Sequence, residues 1–199
     1  MKSFKQFLSF LTEKKDKGTV VASFGRFNPP TIGHAKLLDA MVKIGRKESA
    51  DEIRVFGSHS QDPKKNPLDF KTKMKFLGYI SKVPAVKVMS TSNVNNPFEM
   101  VIELAKEGFS NIIVIAGSDR IAEYQKAEKY ALENGAASYK VMSAGERDPD
   151  ADGAEGMSAS KMRKAAADGD FDSFHLGTGI DADSAQTMYK AVRKGMGIK

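Results

Sequence analysis

The stretch that most constrains this chain is Thr19–Ile44, TVVASFGRFNPPTIGHAKLLDAMVKI. TVVASF carries β-branched residues with no charge and no breaker, the make-up of a buried strand. GRFNPP must then turn, because Gly25 is permissive in φ and two prolines cannot continue a ladder. From about Thr31 the pattern becomes helical. Ile32, Leu37, Leu38, Met41 and Ile44 cover one broad apolar face, and Gly45 closes the element. Gly33 and His34 therefore fall in the first turn of a helix. Backbone N–H groups without intrahelical partners and the positive end of the dipole point out of such a turn, which seats phosphate. The missing side chain of Gly33 lets an anion approach, and His34 adds a donor.

The same alternation runs on. DEIRVF (Asp51–Phe56) is a second strand, completing a βαβ unit whose crossover is right-handed. The loop GSHSQDPKKNPLDF then leaves the carboxyl end of that strand, where α/β proteins keep their ligands. A helix over Phe70–Ile80, a short strand over Ala85–Met89 and a helix from Pro97 to about Lys106, ended by Gly108, come next. NIIVIA (Asn111–Ala116) is the most continuous apolar run and is expected in the middle of the sheet. A helix over Ile121–Glu133, a strand over Tyr139–Met142 and the polar loop SAGERDPDADGAEG complete the pattern. Ser158 then caps a helix, and a last helix spans about Asp183–Lys194. This order predicts an α/β fold with a doubly wound, Rossmann-like parallel sheet. Residues 1–18 read as an amphipathic helix and linker, and residues 19–199 as one domain with a helical C-terminal piece.

Composition removes several function classes. The chain has no cysteine, which excludes disulfides, thiolate metal sites and a thiol nucleophile. Its net charge of +6 suits anionic ligands such as nucleotides. Basic and acidic residues are interspersed, so no dedicated nucleic-acid surface is expected. No apolar run approaches the ~20 residues of a membrane span.

Two segments carry a family resemblance. GRFNPPTIGH, with Thr31, Gly33 and His34 in place, resembles the first signature of the cytidylyltransferase-like nucleotidylyltransferase superfamily with the (H/T)xGH motif. The GRF opening is most similar to nicotinamide-nucleotide adenylyltransferases of the archaeal type. SASKMR (Ser158–Arg163) resembles the second signature, an SSTxxR-like segment, with Ala159 for the second Ser and Ser160 for the Thr. Read alone, SASKMR is equally a capped amphipathic helix.

The resemblance implies transfer of AMP from ATP to a small phosphorylated acceptor, nicotinamide mononucleotide first among them, with release of pyrophosphate. It makes His34, Arg163 and Thr31 catalytic. It gives Gly25, Arg26, Phe27, Gly33, Gly117, Asp119, Ser158 and Ser160 to the nucleotide, and Ser58, His59 and Asn66 to the acceptor. The basic position expected on the helix after Asn66 is open among Lys71, Lys73 and Lys75. Asp119 has an alternative as a helix cap, the Ser58–Asn66 loop as a solvated loop, and His175 reads as structural. Mg²⁺ is implied as a bridge between phosphate oxygens, with no metal ligand assigned to the protein. A homo-oligomer is in keeping with a family that forms dimers to hexamers. Cytidylyl transfer to a phospho-alcohol or phospho-sugar stays open, as does a non-catalytic nucleotide-binding virion protein.

MKSFKQFLSFLTE, with Phe4, Phe7, Leu8 and Leu11 at helical spacing, resembles the capsid-targeting leaders of large tailed bacteriophages, which are cut after Leu-x-Glu, here Leu11-Thr12-Glu13. That implies a protein of the host cytoplasm that associates with a capsid and is packaged in a virion.

Overall fold

The computed structural model describes residues 16–81, 83–145 and 156–198. The amphipathic leader, its Leu-x-Glu site and most of the polar loop before Ser158 lie outside them. In chain order the elements are β1 (Thr19–Gly25), α1 (Ile32–Lys47), β2 (Glu52–Gly57), α2 (Phe70–Ile80), β3 (Val86–Val88), α3 (Pro97–Glu107) and β4 (Asn111–Ala116). A 3-10 turn (Ser118–Arg120), α4 (Ile121–Gln125), α5 (Glu128–Glu133), β5 (Ser138–Ser143), α6 (Ala159–Asp168), α7 (Phe171–Thr178) and α8 (Ala182–Gly195) follow.

The strands form one five-stranded sheet in the order β3-β2-β1-β4-β5. Every pairing is parallel, as the strand–helix alternation requires. β1 is the middle strand, with Val21 opposite Ile53 on one side and Ile113 on the other. NIIVIA is β4, interior between β1 and β5.

Side chains alternate across the sheet and build two cores. Val21, Ile53, Val55 and Ile113 pack with Leu38 and Met41 of α1 and Met74 and Leu77 of α2. Val20, Ala22, Ile112 and Val114 pack with Met100, Val101 and Leu104 of α3 and with Tyr124, Ala127 and Ala131 beyond β4. A third core joins α6–α8, through Met162, Phe174, Met188 and Val192, to Leu68, Phe76 and Ile80. The C-terminal helices are thereby fastened to α2 and to the loop before it.

Two expectations are corrected. Gly45 does not close α1, which runs to Lys47. It is buried inside the helix, where an added Cβ would stand 2.7 Å from the Ile53 side chain. The single helix expected over Ile121–Glu133 is a 3-10 turn followed by two short helices. α7 falls in the tail from Gly169, the helical C-terminal piece, though the sequence pattern assigns it no bounds of its own. It has only eight residues, and its signals are an Asp170 cap bonded to the Ser173 N–H and the buried Phe174. Among the described residues no helix is long and apolar enough to cross a membrane.

Candidate functional site

β1 and β4 lie side by side, yet the chain leaves them toward opposite faces, β1 into α1 and β4 toward α4 and α5. A crevice opens at the carboxyl ends of such a strand pair. The 25–30 turn, the start of α1 and the Gly117 turn all lie at this end.

The turn owes its shape to Phe27, whose φ is 47°. Its ring is 1% exposed and lies over Gly25, where an added Cβ would stand 2.6 Å from it. Gly25 thus serves by its missing side chain, and the positive φ of the turn falls on Phe27. The Phe27 ring also meets His34 edge-on at 4.9 Å and braces it.

Thr31 is fully buried as the N-cap of α1. Its N–H donates to Nδ1 of His34 over 2.9 Å, and its hydroxyl lies 3.1 Å from the same nitrogen. Nδ1 is therefore the acceptor, and the neutral ring carries its proton on Nε2. An added Cβ at Gly33 would have Thr31 Oγ1, at 3.4 Å, as its nearest neighbour, so the end of the helix stays open to an anion.

The second segment arrives from α6. Ser158 caps that helix by accepting the Lys161 N–H over 3.1 Å. Arg163 donates through Nη1 to the backbone oxygen of Asn28 over 2.7 Å and through Nη2 to the hydroxyl of Ser160 over 3.0 Å. Two signatures 124 or more residues apart in sequence terms are thus joined at the 25–30 turn, the Arg163–Asn28 bond itself spanning 135 residues.

 Burial, with Arg26 beside it, pulls the Arg163 guanidinium below its ordinary value, while Asp62 acts the other way. Arg26 itself is exposed at the mouth of the turn. A pair of mutually repelling guanidiniums at a helix N-terminus is an arrangement that an anion relieves.

At the Gly117 turn Asp119 is exposed, and neither the 3-10 turn nor α4 has a side-chain cap. The capping alternative for Asp119 therefore fails. Arg120 pairs with Glu123 at 3.0 Å and lies over the Tyr124 ring, and the Tyr124 hydroxyl donates to the Phe24 carbonyl over 3.0 Å. These contacts tie the turn to β1.

The loop after β2 is built rather than merely solvated. Ser58 is 3% exposed, and its N–H donates to the Gly25 carbonyl over 2.9 Å. His59 stacks on Phe70 at 3.8 Å and donates from Nε2 to the Ser92 carbonyl over 2.8 Å. Asn66 is buried, with its amide nitrogen on Asp62 and its Oδ1 without a hydrogen-bond partner.

Of the three lysines open for the basic position on α2, Lys73 alone is buried. It is 0% exposed, whereas Lys71 and Lys75 face solvent. Its ammonium donates to the Ser58 hydroxyl over 3.2 Å, and burial pushes its pKa down to about 8 against a weaker pull from Asp69. The sequence held the signal, because position 73 shares the helical face of Phe70, Met74 and Leu77. Asn28 was missed altogether. It is 2% exposed, and its side-chain amide bonds both polar groups of the Leu68 backbone.

Beside the scattered carboxylates of Asp62 and Asp119, the groups gathered at this end of the sheet are hydroxyls, imidazole, ammonium and guanidinium. Among the described residues no cluster of three or more His, Asp or Glu could hold a metal ion. Such a donor set suits a divalent ion that arrives on the phosphate oxygens of a nucleotide and keeps its waters.

Comparison with known proteins bears on the fold and the family. No curated protein sequence matches the chain. Among solved structures, it resembles a Vibrio parahaemolyticus protein assigned as a nicotinate-nucleotide adenylyltransferase, with a TM-score of 0.55 and 14% identity over 86% of this chain and 98% of that one. It also resembles Thermotoga maritima TmcAL bound with alpha-thio ATP, with a TM-score of 0.53 and 12% identity over 89% of this chain and 57% of that one. Identities this low speak for the fold alone. The sequence pattern of the cytidylyltransferase-like family matches residues 22–165, which takes in both signatures. The chain belongs to the cytidylyltransferase-like family of nucleotidyltransferases.

Proposed function

We propose that this protein transfers AMP from ATP to a small phosphorylated acceptor, with nicotinamide mononucleotide the leading candidate, and releases pyrophosphate. The observation that carries the reading is the bond from Arg163 to the Asn28 carbonyl, which brings the α6 cation to the turn that presents Thr31 and His34.

In the step, an oxygen of the acceptor phosphate forms a bond to the α-phosphorus. The bond from that phosphorus to the bridging oxygen breaks, and its electron pair leaves with pyrophosphate. Positioning and charge stabilisation do most of the work in such a displacement. His34, with its Nε2 proton set by the Thr31 N–H on Nδ1, donates to the α-phosphate oxygens as charge develops there. Thr31 and the open end of α1 orient the same phosphate. Ser160 and Arg163 hold the β- and γ-phosphates, with Arg26 at the mouth. Gly117 and Asp119 face the nucleoside. Mg²⁺, entering with the triphosphate, supplies further charge neutralisation. Ser58, His59 and Asn66 form the acceptor side, and Lys73 supplies its counter-charge. Cytidylyl transfer, the virion role and assembly into an oligomer have no specific observation in their favour.

The test is pyrophosphate release across a grid of ATP and CTP against nicotinamide mononucleotide, phosphopantetheine and phospho-alcohols, with Mg²⁺. Release with ATP and nicotinamide mononucleotide is expected. His34→Ala should cut it a hundredfold or more, since one such donor is worth roughly 3–4 kcal/mol of barrier. Normal turnover by a folded His34→Ala protein would sink the assignment.

A further inference from the structure

Asn28 makes three bonds that join the two sides of the proposed site. Its Nδ2 donates to the Leu68 carbonyl over 2.9 Å, and its Oδ1 accepts the Leu68 N–H over 2.9 Å. Its own carbonyl accepts Nη1 of Arg163 over 2.7 Å. A carboxamide both donates and accepts along one edge, as a backbone does. Aspartate at that place accepts only, and leucine does neither.

Leu68 stands between the acceptor loop and α2. Asn66 lies two residues before it. Asp69, the next residue, caps α2 by accepting the Thr72 N–H over 2.9 Å. One turn later Lys73 is buried against Ser58. The place of Leu68 therefore sets where both Asn66 and Lys73 stand. The loop is held from its other side by α8, whose Gly195 passes so close to Pro67 that an added Cβ would stand 2.0 Å from the Pro67 carbonyl oxygen.

We propose that Asn28 is a positioning residue that holds the acceptor loop in register with Arg163. The nucleotide cation and the acceptor cation would then be placed by one residue that touches neither substrate, the first through its backbone carbonyl and the second through its side chain. The inference rests on the proposed function for its kinetic consequence, but its structural part can be measured without turnover.

The experiment uses the full chain with Asn28→Leu and Asn28→Asp. Hydrogen exchange of the Leu68 amide is read first, then the KM for each substrate in the grid reaction. In Asn28→Leu the Leu68 amide should exchange at least about tenfold faster. The KM for nicotinamide mononucleotide should rise about tenfold, while the KM for ATP stays within about twofold. Asn28→Asp should show the same acceptor defect at pH 8 and recover as pH falls toward about 5.5, because a buried carboxyl facing a carbonyl protonates readily and then donates as the amide did. A role in folding alone would move neither that pH profile nor the split between the two KM values.

Unchanged Leu68 exchange in a folded Asn28→Leu protein overturns the proposal. So does faster exchange with both KM values unaltered. If the wild type releases no pyrophosphate in any arm of the grid, the functional reading fails instead. Asn28 is then judged on Leu68 exchange alone, and exchange equal to wild type in a folded Asn28→Leu protein overturns the proposal.

Discussion

The molecule buries cationic side chains at both ends of its sheet and treats them in opposite ways. Toward the amino-terminal end, Arg54 of β2 is 6% exposed and fully paired. It bonds Glu52 and Glu107, each at 2.8 Å, and lies over the Phe109 ring at 4.9 Å. Lys87 and Lys17 add one bond each to those carboxylates. The Arg54 bond, more than any other contact, holds the Glu52 carboxyl down at about 2. At the carboxyl end, Lys73 and Arg163 bond hydroxyl and carbonyl oxygens, and among the described residues neither bonds a carboxylate. A buried charge left without a counter-ion costs stability. The paired cation belongs to the fold; under the proposed function, buried Lys73 and half-buried Arg163, which among the described residues bond no carboxylate directly, are kept for an anion that comes from outside.

Replacing one cation from each end should break that contrast most visibly. Lys73→Met fills the same space without the charge. Lys73 titrates near 8 in the folded protein against an ordinary 10.5. The unfolded chain therefore binds more protons between those values, and wild-type stability should rise as pH goes from about 8 to 10.5. Below pH 8 the penalty is complete, at about 3 kcal/mol. Chemical denaturation at pH 7 should show the variant more stable by about 2–3 kcal/mol, less the lost bond to Ser58, with its acceptor KM raised at least tenfold. A variant less stable than wild type at pH 7 would show that Lys73 is neutralised within the fold.

Arg54→Met should do the reverse. It leaves two carboxylates facing each other, each partly open to solvent, and should lower stability by about 2 kcal/mol with turnover per folded molecule unchanged. The pH arm has a definite sign. Glu52 is depressed from 4.5 to about 2, so its contribution is complete above 4.5 and lost as pH falls through 2. Acid unfolding of wild type should be steep in that window, and that of Arg54→Met shallower. A large loss of turnover in Arg54→Met would erase the division between the two ends.

The residues at these two ends were not equally legible in the sequence. The α1 end was readable because its geometry is local. A buried strand, a proline turn and a helix start within 26 residues leave Thr31, Gly33 and His34 one place to be. The order of strands was readable for the same reason, since each apolar run was bounded by its own breakers. What stayed hidden depends on contacts distant in sequence. Asn28 looks like an ordinary turn residue until Leu68, 40 positions on, is seen against its amide. Lys73 lies between these cases: its place on the apolar face of α2 is local, but its Ser58 partner, 15 positions back, is not. Boundaries failed where packing overrode local signals, as with Gly45, read as a terminator but required small by Ile53.

Arg163→Lys sharpens the contrast on a smaller scale. Lysine keeps the charge but has one nitrogen for two partners, the Asn28 carbonyl and the Ser160 hydroxyl. Turnover should fall about tenfold, close to 1.4 kcal/mol, with stability little changed. Loss as deep as that of Arg163→Ala would mean that the two-pronged geometry carries the effect, and no loss would mean that charge alone suffices.

The smallest effect concerns Ser158, where fold and site meet in one hydroxyl. Its oxygen accepts the Lys161 N–H and so satisfies a group that would otherwise be open at the start of α6. The same hydroxyl still has a proton to donate, which is what phosphate binding would use. Ser158→Ala should therefore lower stability by about 1 kcal/mol and weaken ATP binding about threefold. Ser158→Asp separates the two roles, because aspartate caps a helix as well as serine does but brings a negative charge to the triphosphate. It should restore stability and weaken ATP binding further than alanine does. If Ser158→Asp recovers both, the hydroxyl serves the helix alone, and the phosphates are held by Ser160 and Arg163 without it.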